Sequence, residues 1–147
     1  LKAGLQVIWQ TGKSLAAEAA QQATAHKEVW ANEFITNMEF AYAAADIVIA
    51  RAGAMTVAEI CVVKKPAIFV PYPFAAEDHQ TVNARQLVNK SAALMVKDVD
   101  AKNNVVKMAV ALAADEVKRK EMSDNLSRLA ITDAAERVAG EILNTIQ

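Results

Sequence analysis

A single cysteine, Cys61, occurs in the 147 residues, which excludes a disulfide framework and a thiolate metal cluster. A reducing compartment is the expectation for such a chain. No apolar run approaches the roughly 18 residues of a membrane span, and no charged-then-apolar signal peptide opens the sequence. Charge of one sign is lacking as well: 16 Lys plus Arg stand against 17 Asp plus Glu, interspersed, so the basic stripe needed for nucleic-acid binding is absent. The two histidines, His26 and His79, lie on separate segments without ligand spacing, so no metal site is expected. The Walker pattern G-x-x-x-x-G-K-[ST] is missing, and no G-x-G-x-x-G follows a strand. No Ser-His-Asp arrangement can be drawn, and Cys61 lies in an apolar helical stretch, where a thiol is buried and inert.

What is present is 54% apolar, enough for one domain with a real core but not for two. The chain opens on Leu1 and strand-like residues follow almost at once, as in a segment of something longer. Short apolar runs rich in β-branched residues alternate with helical stretches. The strands read as Leu5–Thr11 (ended by Gly12), Val29–Phe34, Asp46–Ala50, Ala67–Tyr72 and Ala92–Val96. Helices read as Ser14–His26, Met38–Ala45, Thr56–Val63 and Asp78–Lys90. A helical segment of residues 103–147 follows, broken near Asp115 and Thr132. This alternation predicts an α/β domain whose parallel sheet is covered on both faces and doubly wound by right-handed crossovers. Ligands of such sheets bind beyond the carboxyl ends of the strands, so the loops after Phe34, Arg51 and Tyr72 become the candidates.

In the first of the candidate turns, "RAGAMTVAEI" (Arg51–Ile60), Ala52, Gly53 and Ala54 let a ligand approach the backbone, and Gly53 can take positive φ. The first amides of the next helix point outward with the positive end of its dipole behind them, which suits a phosphate. A plain capped turn explains the same letters, because Thr56 and Glu59 have the T-x-x-E spacing of a capping box. In "PYPFAAEDHQTVNA" (Pro71–Ala84), Asp78 can cap the following helix and leave His79 and Gln80 in its first turn facing a ligand. Gln offers both a donor and an acceptor to hydroxyls. In "NEFITNMEF" (Asn32–Phe40), Phe34 and Ile35 either lie against a flat base, with Ile35 backbone atoms at its edge, or belong to the core.

Together, R-x-G-A-x-T-x-x-E, D-H-Q-T-x-N-A and the opening "LQVIWQTGK" resemble the C-terminal domain of the MurG family of peptidoglycan glycosyltransferases, over nearly the whole chain. The resemblance implies a Rossmann-like donor domain of the two-domain GT-B build, truncated at its N-terminal edge, with residues 1–147 a single partial domain. It implies an inverting N-acetylglucosaminyltransferase working without a cofactor. N-acetylglucosamine would pass from UDP-N-acetylglucosamine to undecaprenyl-diphospho-muramoylpentapeptide (lipid I to lipid II), with peripheral association on the cytoplasmic side of the bacterial plasma membrane and roles in cell-wall biogenesis, cell division and cell shape. The backbone of Ile35 would read the uracil, and the segment Ala54, Met55, Thr56, Val57, Ala58, Glu59 would hold the donor. Within it Glu59 would accept from the ribose hydroxyls, while Gln80 would contact the sugar and Thr56 would still cap. The family's G-G-[ST]-x-G loop, a central strand and the N-terminal domain have no counterpart in these residues. That domain is expected to supply acceptor binding, most of the membrane contact and the catalytic base, which leaves this segment inactive alone. The alternatives are a regulatory or epimerase-like domain that binds a UDP-sugar without transferring it, and a non-binding structural fragment.

Overall fold

The computed structural model of the chain describes residues 4–146; residues 1–3 and 147, the ends of the expected single domain, lie outside the described residues. The elements run β1 (Val7–Gln10), α1 (Ala16–Ala25), β2 (Val29–Asn32), α2 (Met38–Ala44), β3 (Val48–Ala50), α3 (Ala54–Val63), β4 (Ala67–Phe69), α4 (His79–Val88), β5 (Leu94–Met95), α5 (Asp98–Ala114), α6 (Glu116–Ser127) and α7 (Ala134–Thr145). They divide into two compact units, one ending at Ala45 and the other starting at Asp46.

In the first unit β1 and β2 pair in parallel, with Val7 opposite Val29 and Gln10 opposite Asn32. Parallel strands need a crossover, and α1 provides it, packing on β2 with Ala19 fully buried. Gly12, which closes β1, has φ 67°, a conformation that L side chains rarely adopt, so glycine is needed there.

The second unit is a parallel sheet in the order β3–β4–β5, with Val48 opposite Ala67 and Phe69 opposite Met95. The crossover helices α3 and α4 touch each other, α4 lies on β5, α5 on β4, and α6 packs against α3 and α5. Ile68, Val96, Leu112 and Met122 form the core of this layer. Removing a side chain such as Leu112 from water contributes about 2 kcal/mol. Asp115 separates α5 from α6, and its Oδ1 accepts a bond from the Lys118 N–H at 2.9 Å, capping α6. Arg119 donates to the Leu112 and Ala113 carbonyls and so closes the C-terminal end of α5.

The architecture is α/β and every strand pair is parallel, as the alternation predicts. The strands form one sheet in each unit, and burial differs among them. All residues of β4 are buried, whereas β1 is largely exposed. The reason is local: β4 has a bonded strand on each side and a helix upon it, while among the described residues β1 bonds β2 alone. Among the described residues no helix is long and apolar enough to cross a membrane.

Candidate functional site

The turn after β3 departs from the expected capping box. The helix α3 starts at Ala54, with Gly53 at the N-cap (φ −64°, ψ 151°) and no side-chain cap. Thr56 is thus the third helical residue and Glu59 the sixth, so neither can serve as cap or capping partner. Ala54 and Met55 are strong helix formers, and the helix extends through them toward the strand in preference to starting at a threonine cap. The Val57 N–H donates to the Gly53 carbonyl at 3.0 Å, closing the first turn. The amides of Ala54, Met55 and Thr56 come before any intrahelical partner.

Gly53 does not use its freedom to take positive φ. A Cβ added to it would meet only Thr56 Oγ1, at 4.0 Å. Neither the backbone nor the packing of the chain therefore requires glycine there. Glycine at this position is an acceptable N-cap, and it leaves the backbone open to the close approach of a group from outside the chain.

Two further side chains, Arg51 and Asn83, brace this turn. Arg51 Nη1 donates to the carbonyls of Val70 (3.1 Å) and Pro71 (3.2 Å) and pairs with Asp98 at the start of α5. Its guanidinium lies 5.6 Å from the centre of the Tyr72 ring, which in turn meets Phe74 edge-on at 5.7 Å. One side chain thus joins the end of β3, the loop after β4 and the start of α5. Asn83, on α4, donates from Nδ2 to the carbonyl of the fully buried Ala52 at 3.1 Å. Arg51 directly follows β3, so strand-end carbonyls that need donors are near it; Asn83 is within α4, and its partner comes only from the packing.

In the loop before α4, Glu77 and Asp78 both have left-handed backbone (φ 50° and 52°). Asp78 occupies the N-cap position of α4 but makes no capping bond, contrary to expectation, because a capping carboxylate needs extended rather than left-handed backbone. His79 turns back on its own loop, Nδ1 lying 2.6 Å from the Ala76 carbonyl. Gln80 Oε1 accepts the Tyr72 N–H at 2.9 Å, which fixes the sense of the amide and leaves its NH₂ as the group to offer a ligand.

Ile35 belongs to the first unit, whereas Ala54, Met55, Thr56, Val57, Ala58, Glu59 and Gln80 belong to the second. The structure brings the first six of those seven together as the opening turn and a half of α3, and α4, which carries Gln80, packs against that helix. Ala54, Met55, Ala58 and Glu59 are exposed. The Ile35 N–H donates to Gln10 Oε1 at 2.9 Å, a bond between partners 25 residues apart that no local pattern signals. Beside Ile35 a cleft of about 490 Å³ is lined by Ile8, Trp30, Phe34 and Phe40. Phe34 is 66% exposed, so it is not a core residue ending a strand.

This geometry accompanies a broad likeness to known proteins. The chain is 43% identical over 144 residues to the UDP-N-acetylglucosamine–N-acetylmuramyl-(pentapeptide) pyrophosphoryl-undecaprenol N-acetylglucosamine transferase of Parabacteroides distasonis, a match covering 97% of the chain and 39% of that protein. It is 45% identical over 142 residues to the protein of the same name from Phocaeicola vulgatus, covering 95% of the chain and 38% of the relative. The crystal structure of Acinetobacter baumannii MurG superposes with a TM-score of 0.83 at 30% identity, over 95% of this chain and 41% of that one. The chain therefore spans about two fifths of the length of the curated relatives it matches. The profile of the glycosyltransferase family 28 C-terminal domain matches residues 1–138, and the chain belongs to that family.

Proposed function

We propose that the chain is the UDP-sugar donor half of a longer, inverting N-acetylglucosaminyltransferase of peptidoglycan synthesis. The curated relatives support this by their names, which describe transfer of N-acetylglucosamine onto N-acetylmuramyl-(pentapeptide) pyrophosphoryl-undecaprenol. The observation within the chain that carries the reading is Gly53, a glycine that neither fold nor packing requires, next to the unpaired first amides of α3. An anion held by those amides has the positive end of the helix dipole behind it. The leaving UDP would thereby be stabilised as its negative charge develops.

In this reading, Glu59 accepts from the ribose hydroxyls. The rise from Ala54 to Glu59 is about 7.5 Å along the helix axis, the scale of the separation between diphosphate and ribose. The Gln80 NH₂ donates to a sugar hydroxyl while its Oε1 stays on the Tyr72 N–H. Ile35 meets the uracil edge, and a base oxygen that takes its N–H must replace Gln10 Oε1. The acceptor site, the catalytic base and the main membrane contact lie in the part of the enzyme outside this chain, and the chain alone does not turn over. The enzyme works as a peripheral protein on the cytoplasmic face of the membrane, serving cell shape and division.

Calorimetric titration of the full-length protein with UDP, UMP and ADP tests the reading. UDP should bind more tightly than UMP, and ADP only weakly. Equal affinity for UDP and ADP would remove the uracil assignment, and no binding of any of the three would remove the donor site. Binding of UDP without transfer to a lipid-linked muramoylpentapeptide acceptor would select a regulatory or epimerase-like role.

A further inference from the structure

The Asn83 side chain reaches across from α4 to the Ala52 carbonyl, the last one before the glycine that starts the donor turn. A trans peptide directs its N–H opposite to its C=O. The bond from Asn83 therefore also sets the direction of the Gly53 N–H. Gly53 is the one residue of the turn with backbone freedom enough to let that peptide rotate, since no Cβ restrains it. A rotated Ala52–Gly53 peptide would bring a carbonyl oxygen round to where an N–H had been, and an anion there would meet a negative dipole in place of a positive one.

We propose that Asn83 is a positioning residue for the donor diphosphate: its amide pins the Ala52 carbonyl to α4 and keeps the Gly53 N–H in line with the open amides of Ala54 and Met55. The proposal rests on the donor reading above. Asn83 itself does not touch the nucleotide. Its amide is half-buried, and the bond spans 31 residues of sequence, so it joins the turn after β3 to α4, which no local interaction would hold together. Arg51, in the same turn, bonds the Val70 and Pro71 carbonyls. Of these contacts, the one from Asn83 falls on the Ala52–Gly53 peptide, next to the helix start.

The test compares UDP with UMP in the full-length protein, because a role in aiming amides at the diphosphate weighs on UDP more than on UMP. Asn83→Ala removes the donor without adding charge. Asn83→Asp keeps the shape but presents an acceptor, which favours the rotated peptide. Loss of one hydrogen bond's worth of orientation corresponds to about a fivefold fall in UDP affinity. Both variants should therefore show a UDP-to-UMP affinity ratio reduced by about that factor, with UMP affinity close to the unsubstituted value. A ratio unchanged in both variants overturns the proposal. So does a parallel loss of both ligands accompanied by a lower melting temperature, which would make the bond merely structural. Failure of the unsubstituted protein to bind either ligand would instead overturn the donor reading on which the proposal depends.

Discussion

Replacing Gly53 by Ala separates the needs of the fold from those of a ligand. Its backbone angles, φ −64° and ψ 151°, are open to any L-residue, and the added Cβ would come no closer than 4.0 Å to Thr56 Oγ1. Restricting the unfolded chain would stabilise the protein by about 0.4–1 kcal/mol. Against this, alanine is a poorer N-cap than glycine, a loss of about 0.5–1 kcal/mol. The two terms nearly cancel, leaving stability within about 0.5 kcal/mol of the parent, which is a change in Tm of about 2 °C or less for a chain of this size. Ligand binding should respond very differently. A methyl group placed where a diphosphate approaches the amides must push the anion outward, and loss of one charge-assisted bond of about 1.5–3 kcal/mol weakens UDP roughly 10- to 100-fold. Thermal melting and calorimetry on the same full-length preparation provide both quantities. A Gly53→Ala protein that melts and binds UDP like its parent would refute the inference that this glycine is kept for close approach. One that melts much lower would show that the fold did require it.

Two further outcomes follow from the same geometry. Because Thr56 is inside α3 rather than at its cap, Thr56→Ala should cost well under the roughly 1 kcal/mol of a lost cap. Glu59→Gln should raise the KM for the UDP-sugar about fivefold or more with Tm unchanged, from the difference between an ionised and a neutral acceptor; wild-type donor kinetics in that variant would return the anion to the amides alone. Burial pushes the Cys61 thiol above its ordinary range, an effect that nearby Lys90 partly opposes. The native state therefore keeps the thiol proton to higher pH than the unfolded chain does. Its contribution to stability is present below the ordinary thiol range, about pH 8.5, and is lost as pH rises through the raised native value. Between about pH 8 and about pH 10 the parent should lose more Tm than Cys61→Ala, and equal losses would contradict the burial argument.

Periodicity and punctuation alone were enough to read the order of elements. The short apolar runs at Val48–Ala50 and Ala67–Phe69, set between helical stretches, indicate parallel strands joined by helices, and Gly12 marks the end of β1 through its own backbone preference. The three candidate loops at the strand ends were legible for the same reason, since strand ends are set by local sequence. The start of α3 was not. A T-x-x-E spacing is compatible with a cap at Thr56, but the helix began at Ala54, because intrinsic propensity and the short reach from β3 outweighed one side-chain bond. The unused cap at Asp78 has a comparable cause in the left-handed backbone of Glu77 and Asp78, which a one-dimensional pattern does not contain. Contacts between distant residues lay wholly with the tertiary structure. Arg51 on the Val70 and Pro71 carbonyls, Asn83 on the Ala52 carbonyl and Gln10 on the Ile35 N–H each satisfy a backbone group from 19 to 31 residues away. Sequence determines which residues have a hydrogen bond to offer; only packing brings a given donor to within about 3.2 Å of a given acceptor, because that distance is set by the helices and strands between them.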